Sequence, residues 1–144
     1  LDSSAALADI IADQTDLLRY LADRIMPNYV VEWKPIDDNK YISGEVLVEM
    51  LQGNDRNCFT FGKLEGLEVL LESAAIYKKV VPDNEDEKEF VGNLFNLMCI
   101  MLPYENNKQL FNRLDGIKLM LAFIVQKNDY SRLALRVLSD AFIE

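Results

Sequence analysis

One stretch of the chain occurs twice, first as Phe61-Gly62-Lys63-Leu64-Glu65-Gly66-Leu67-Glu68-Val69-Leu70-Leu71 and again, fifty residues later, as Phe111-Asn112-Arg113-Leu114-Asp115-Gly116-Ile117-Lys118-Leu119-Met120-Leu121. The Phe, the first Leu, the Gly and the last Leu are identical in both copies, and five further positions exchange similar residues. Self-similarity at a period of about forty to fifty residues is typical of arrays in which each helical unit buries its apolar face against its neighbours. The stretch therefore predicts a repeat protein built of helices.

The shared glycine, Gly66 or Gly116, is predicted to form a corner between two helices. It follows a short helix that carries Phe and Leu, and apolar residues at helical spacing come directly after it. Glycine takes the left-handed conformation without the strain that a Cβ would cause. We therefore predict a positive φ at both glycines.

Length and composition favour one helical domain. Of the 144 residues half are apolar, and the chain has only six Gly and four Pro. That composition excludes general disorder and disfavours a sheet. We predict an all-α, armadillo- or HEAT-like right-handed superhelix of about three helical repeats, with units at roughly 1–52, 53–102 and 103–144. The first residue is Leu1 and the helical pattern continues to Glu144, so we expect a fragment of a longer array.

The charge balance is acidic, with 24 carboxylates against 15 Lys and Arg and a formal charge of −9. Domains that bind nucleic acid usually present a basic stripe, so direct nucleic-acid binding is not expected. A basic peptide or protein would be attracted instead. The same charge also fits a surface that only keeps the chain soluble.

The residue types disfavour catalysis and metal binding. The chain has no histidine, and Cys58 and Cys99 do not form a CxxC pair. A structural zinc site or a His-based catalytic triad is therefore not expected, nor is any cofactor. Glu85-Asp86-Glu87 is interpreted as the stabilising acidic start of a helix rather than as a calcium loop. No apolar span of eighteen residues occurs, so no membrane helix is expected.

Helical spacing extends along most of the chain. Between Pro27 and Pro35 a long loop interrupts it, and Trp33 is predicted to anchor this loop onto the helices. The remaining segments are predicted to be two helices between Leu1 and about Met26, then helices at Tyr41–Gln52, from Gly66 to about Val80, from the acidic run Glu85-Asp86-Glu87 to Leu102, at Gly116–Gln126 and from Ser131 onward.

The third helix of each armadillo unit lines a groove, and three segments here hold that place: Ser43–Gln52, Asp86–Leu102 and Ser131–Ile143. Aligning them puts polar residues at equivalent positions, with one more acid a turn earlier: Glu49, Asn96, Asp140 and the additional Glu45. Carboxylates pair with Lys and Arg, and an amide offers a peptide backbone both a donor and an acceptor. This ladder suits an extended basic peptide, although the same pattern also fits the solvated side of amphipathic helices.

From about Leu17 to its end the chain resembles the beta-catenin-like protein 1 family. The resemblance lies in the order and spacing of several segments: Asp38-Asn39-Lys40-Tyr41, Glu45-Val46-Leu47, Leu51-Gln52-Gly53-Asn54-Asp55-Arg56-Asn57, the stretch from Lys63 to Leu71, Glu87–Leu102 and Ser131–Asp140. The loop from Pro27 to Pro35 departs from the family by being longer.

The resemblance implies a nuclear armadillo-repeat protein without enzymatic activity. It implies a scaffold in pre-mRNA splicing, associated with a spliceosomal complex that contains a Myb-like factor and recognising basic localisation-type segments of splicing factors. An import adaptor for basic cargo is an alternative, but the tryptophans that such grooves carry are replaced by Glu45, Gly92 and Arg136. A helical RNA-binding protein is a second alternative, against which the acidic balance stands. A homodimer is left open.

Overall fold

A computed structural model describes residues 15–27, 38–126 and 129–142. The described residues form helices and no strand, in the order α1 (Thr15–Ile25), α2 (Asp38–Leu51), α3 (Asp55–Lys63), α4 (Gly66–Ala75), a short 3-10 turn (Ile76–Lys78), α5 (Glu85–Met101), α6 (Glu105–Arg113), α7 (Gly116–Val125) and α8 (Ser131–Phe142). The all-α class is confirmed, and the helices α3–α4–α5 and α6–α7–α8 repeat one arrangement.

Two predicted boundaries are wrong. The helix α2 begins at Asp38 rather than Tyr41, and α4 ends at Ala75 rather than near Val80. After Ala75 the α-helix gives way to the 3-10 turn Ile76–Lys78. The N–H groups of Lys79 and Val80 both donate to the carbonyl of Ile76, at 3.2 Å. The predicted helix before Thr15 and the Trp33 loop lie outside the described residues.

The long third helices pack side by side, α2 against α5 and α5 against α8. On the other layer α4 packs on α5, and α7 packs on α8, so each unit covers its own third helix. The core between the layers is continuous and is centred on phenylalanine rings with at most 1% of their surface exposed, namely Phe61, Phe90, Phe95, Phe111 and Phe123. Burying each large side chain contributes about 1.5–3 kcal/mol, so tertiary packing holds these short helices.

The predicted positive φ at the corner glycines is wrong, although the corners lie where they were predicted. The left-handed residue is the acid before each glycine, with φ of 62° at Glu65 and 61° at Asp115. Gly66 and Gly116 are instead the first residues of α4 and α7. A Cβ on Gly66 would stand 2.3 Å from two ring carbons of Phe61. The glycine is thus required for close approach of the ring and not for its dihedral angles.

A second feature occurs in both units, with donor asparagines that lie fifty residues apart and acceptor carbonyls that lie 51 residues apart. The side-chain amide of Asn57 donates to the carbonyl of Met50 at 2.7 Å, and that of Asn107 donates to the carbonyl of Met101 at 2.8 Å. Each bond satisfies an orphan carbonyl in the last turn of the preceding third helix. It fixes the start of α3 or α6 against that helix end.

A buried carboxylate holds the connection between α4 and α5. Glu87 accepts a hydrogen bond from the hydroxyl of Tyr77 at 2.9 Å and another from the backbone N–H of Asp83 at 2.7 Å. Its own N–H donates to the N-cap side chain of Asn84 at 2.9 Å. Burial, then the hydrogen bond to Glu87 and its charge, raise the pKa of Tyr77 above its usual range. The acidic run thus starts a helix, as predicted, and one of its members also ties the loop down.

Candidate peptide-binding face

The predicted ladder residues lie on the three helices that pack side by side. The pattern of burial supports the alignment of these helices. Leu47 of α2 and the equivalent Leu94 of α5 are both fully buried. At another shared position the residues of all three helices are buried, namely Ser43, Phe90 and Ala134. In this register Glu49, Asn96 and Asp140 are equivalent, and so are Glu45, Gly92 and Arg136. We call these six residues together with Cys99 the candidate face.

Helix α2 contributes two exposed carboxylates, Glu45 and Glu49, one turn apart. It approaches α5 closely through Gly44, where a Cβ would stand 3.1 Å from the ring of Phe90 and 3.9 Å from Cβ of Asn93. The small residue therefore brings the acidic side of α2 near α5. Two like charges at this spacing repel one another, so a cation placed between them would relieve that repulsion.

Helix α5 is open at the centre of the candidate face. A Cβ on Gly92 would meet no heavy atom within 4 Å, and Asn96 lies half-buried one turn further on. Glycine in a helix interior costs about 0.5–1 kcal/mol relative to alanine. Gly92 leaves room for another backbone to approach beside an amide that can both donate and accept. From the sequence, Gly92 stands out only as a position that lacks the tryptophan of an import-adaptor groove.

Helix α8 places Asp140 beside the thiol of Cys99, so these two third helices meet through polar groups. Burial raises the pKa of Cys99 to about 12, helped by a hydrogen bond with Asp140 and by its charge, while Arg136 opposes the shift. This end of the candidate face therefore carries both signs of charge. The acidic part of the ladder is concentrated on α2, and sequence spacing gave no signal of the contact between Cys99 and Asp140.

The corner glycines lie away from this face, at the junctions α3–α4 and α6–α7. Both cysteines are free, and Cys58 is buried. Within residues 15–27, 38–126 and 129–142 no cluster of acids and cysteines could hold a metal ion. Over the same residues no helix is long and apolar enough to cross a membrane.

Comparison with known proteins gives a consistent result. The family model described as "Catenin-beta-like, Arm-motif containing nuclear" matches residues 1–144. Beta-catenin-like protein 1 of Rattus norvegicus is 34% identical over 132 residues, which cover 92% of this chain and 23% of the relative. The Homo sapiens protein is 34% identical over 130 residues, covering 90% and 22%. The Schizosaccharomyces pombe homolog is 24% identical over 133 residues, covering 92% and 23%.

The chain thus spans about a quarter of the length of the curated relatives that it matches. Its helical repeats agree with the Arm motif in the family description, and the predicted nuclear localisation agrees with the same description. A helical-repeat protein of this type serves in protein interaction. The chain belongs to the catenin-beta-like, Arm-motif-containing nuclear family.

Proposed function

We propose that this chain is a non-catalytic protein-interaction scaffold of the pre-mRNA splicing machinery. On this proposal it binds basic localisation-type segments of splicing factors along the candidate face. The splicing role follows from the resemblance to the beta-catenin-like family. The binding mode rests on one observation of the chain itself, the pair of exposed carboxylates on α2 next to the open surface at Gly92 and Asn96.

The physical chemistry of the face suits an extended peptide. The peptide's Lys or Arg side chains would pair with Glu45 and Glu49, and its backbone would run over Gly92 within reach of the Asn96 amide. The net charge of −9 attracts a basic segment from solution. Because the carboxylates on α2 are exposed, the attraction would weaken with salt.

The test is calorimetric titration of the chain with a Lys- and Arg-rich localisation-type peptide from a splicing factor. Reversing both acids in Glu45→Lys/Glu49→Lys is expected to abolish binding. The matched control Glu65→Lys/Glu72→Lys changes two exposed acids outside the candidate face and makes the same charge change, from −9 to −5. If both variants lose the same amount of peptide affinity, binding depends only on the net charge of the chain, and a defined site on the candidate face is refuted.

A second variant probes shape instead of charge. Gly92→Leu adds a side chain over α5, whose Cβ would meet no heavy atom within 4 Å, and leaves every charge in place. We expect weaker peptide binding with unimpaired folding, because leucine favours helix over glycine. Unchanged affinity for this variant would contradict a peptide path over Gly92.

A further inference from the structure

The charge on the third helices changes sign across the candidate face. Helix α2 presents the exposed carboxylates of Glu45 and Glu49. Helix α5 has no charged residue from Phe90 to its end. Helix α8 presents two exposed guanidinium groups, those of Arg132 and Arg136. The side chains offered to a peptide are therefore acidic on α2, neutral on most of α5 and basic on α8.

Arg132 and Arg136, which we call the arginine pair, lie on one side of α8 because they are four residues apart. Arg136 is equivalent to Gly92 and Glu45 in the register of the third helices. Its charge is close enough to α5 to lower the pKa of Cys99 against the larger effects that raise it. The arginine pair thus borders the junction of α5 and α8, on the same side as the rest of the candidate face.

The nearby carboxylate of Asp140 does not cancel the charge of the arginine pair. Asp140 is half-buried and forms a hydrogen bond with Cys99, whereas both arginines are exposed. The thiol keeps its proton at neutral pH and donates to Asp140, because the pKa of Cys99 is raised to about 12. Two exposed cations beside one engaged carboxylate leave this part of α8 with a net positive charge.

The distance between the two charged ends sets the length of peptide that joins them. Helix α2 packs on α5 and α5 packs on α8, so the ends are two helix spacings apart. Packed helices lie about 8–10 Å apart, which gives about 16–20 Å from α2 to α8. An extended chain rises about 3.3 Å per residue, so about five or six residues span this distance.

We infer that the peptide bound on the candidate face carries, about five or six residues from its basic residues, an anionic residue that the arginine pair binds. The anionic group is a carboxylate or a phosphoryl group, since arginine forks bind both with paired N–H donors. The inference rests on the function proposed above and specifies its ligand. A segment with basic residues alone would instead bring a cation against the arginine pair.

The inference predicts an effect opposite in sign to that of net charge. Adding one negative charge to a basic peptide weakens its general attraction to a chain of charge −9. A local basic site on α8 makes the same addition favourable, provided that the anionic residue reaches the arginine pair. The sign of the change in affinity therefore distinguishes a face of two charges from a face that is acidic throughout.

The experiment is calorimetric titration of the chain with peptides that carry two lysines and, six residues away, serine, glutamate or phosphoserine. Each peptide is made with this residue before and after the lysines, so that both chain directions along the face are covered. In one direction we expect glutamate to bind about two- to fivefold more tightly than serine, the range of an exposed ion pair. Phosphoserine should bind more tightly still, because it adds charge and acceptor oxygens.

The decisive variant is Arg132→Gln/Arg136→Gln, and the readout is the ratio of the Kd for the serine peptide to the Kd for the glutamate peptide. This ratio should fall to one or below when the arginine pair is removed. The matched control Lys63→Gln/Arg113→Gln changes two exposed bases outside the candidate face and makes the same charge change, from −9 to −11. In this control the ratio should stay above one.

The results separate the inference from the function on which it rests. Weaker binding of the glutamate and phosphoserine peptides in both directions would overturn the inference, and so would an equal ratio in the parent and the Arg132→Gln/Arg136→Gln variant. The proposed function would still stand if the serine peptide binds and Glu45→Lys/Glu49→Lys abolishes that binding. If the serine and anionic peptides all fail to bind the parent chain, the proposed function and the inference are both refuted.

Discussion

Replacing a corner glycine by alanine is expected to destabilise the fold through contact with a phenylalanine ring. In Gly66→Ala the new Cβ would stand 2.3 Å from Cδ2 and Cε2 of Phe61, and in Gly116→Ala it would stand 2.6 Å from two ring carbons of Phe111. Carbon atoms in contact are ordinarily about 3.5–4.0 Å apart. Both rings are fully buried, so neither can move aside without displacing its neighbours.

The magnitude follows from two opposing effects. Overfilling a packed core costs about 1–3 kcal/mol. Alanine returns about 0.4–1 kcal/mol because it restricts the unfolded chain more than glycine does. We therefore expect a net loss of about 1–2 kcal/mol, larger for Gly66→Ala than for Gly116→Ala because the approach is closer.

The assay is urea unfolding of four proteins: the parent chain, Gly66→Ala, Phe61→Leu and the double variant. Leucine lacks the ring atoms that clash, so the cost of Gly66→Ala should largely disappear in the Phe61→Leu background. Such a coupling of about 1 kcal/mol or more lies within the range of residues in contact. Gly92→Ala is the matched control, which should stabilise the chain by about 0.5–1 kcal/mol because its Cβ meets nothing within 4 Å.

A loss that persists undiminished in the Phe61→Leu background would refute the steric account. It would point to the backbone conformation at Gly66 as the cause.

Two further predictions concern buried polar groups. Asn57→Ala should lower the free energy of unfolding by about 1–3 kcal/mol, because the carbonyl of Met50 loses its buried donor. Asn107→Ala should lower it less, because Asn107 is only half-buried. Equal urea midpoints for the parent and both variants would contradict this prediction. The pKa of Cys99 rises from its ordinary 9.0 to about 12 in the folded chain, so the unfolded chain releases this proton first and stability falls as pH rises above 9. The unfolding free energy of Cys99→Ala should therefore fall less between pH 8 and about pH 10 than that of the parent, and parallel pH profiles would argue against a buried thiol.

The sequence determined the features that depend on spacing along the chain. The two copies of the Phe61–Leu71 stretch predicted a helical repeat, the positions of its corners and the helices on either side. Apolar residues at helical spacing must be buried together, and this requirement does not depend on the details of packing. The same fifty-residue offset also relates Asn57 to Asn107, so this pair was open to detection from the sequence.

The tertiary structure decided which residue of each corner takes the left-handed backbone conformation. From the sequence, the positive φ is expected at Gly66, since glycine is the residue that takes it most readily. The packed Phe61 ring instead occupies the space beside Gly66, and Glu65 takes the left-handed conformation. Close contact with a residue five positions away is therefore what requires glycine here, and the left-handed conformation belongs to the residue before it.

Contacts between units were likewise beyond the sequence. The spacing put Glu49, Asn96 and Asp140 in register, but only the packing of α8 on α5 brings Asp140 to the Cys99 thiol, and only the surroundings of Gly92 reveal open space there. Exposure of Leu135 and Phe142 is equally a tertiary property, since their spacing matches that of buried residues. Periodicity determines which side chains share a helix face, whereas the neighbouring helices decide whether that face is covered.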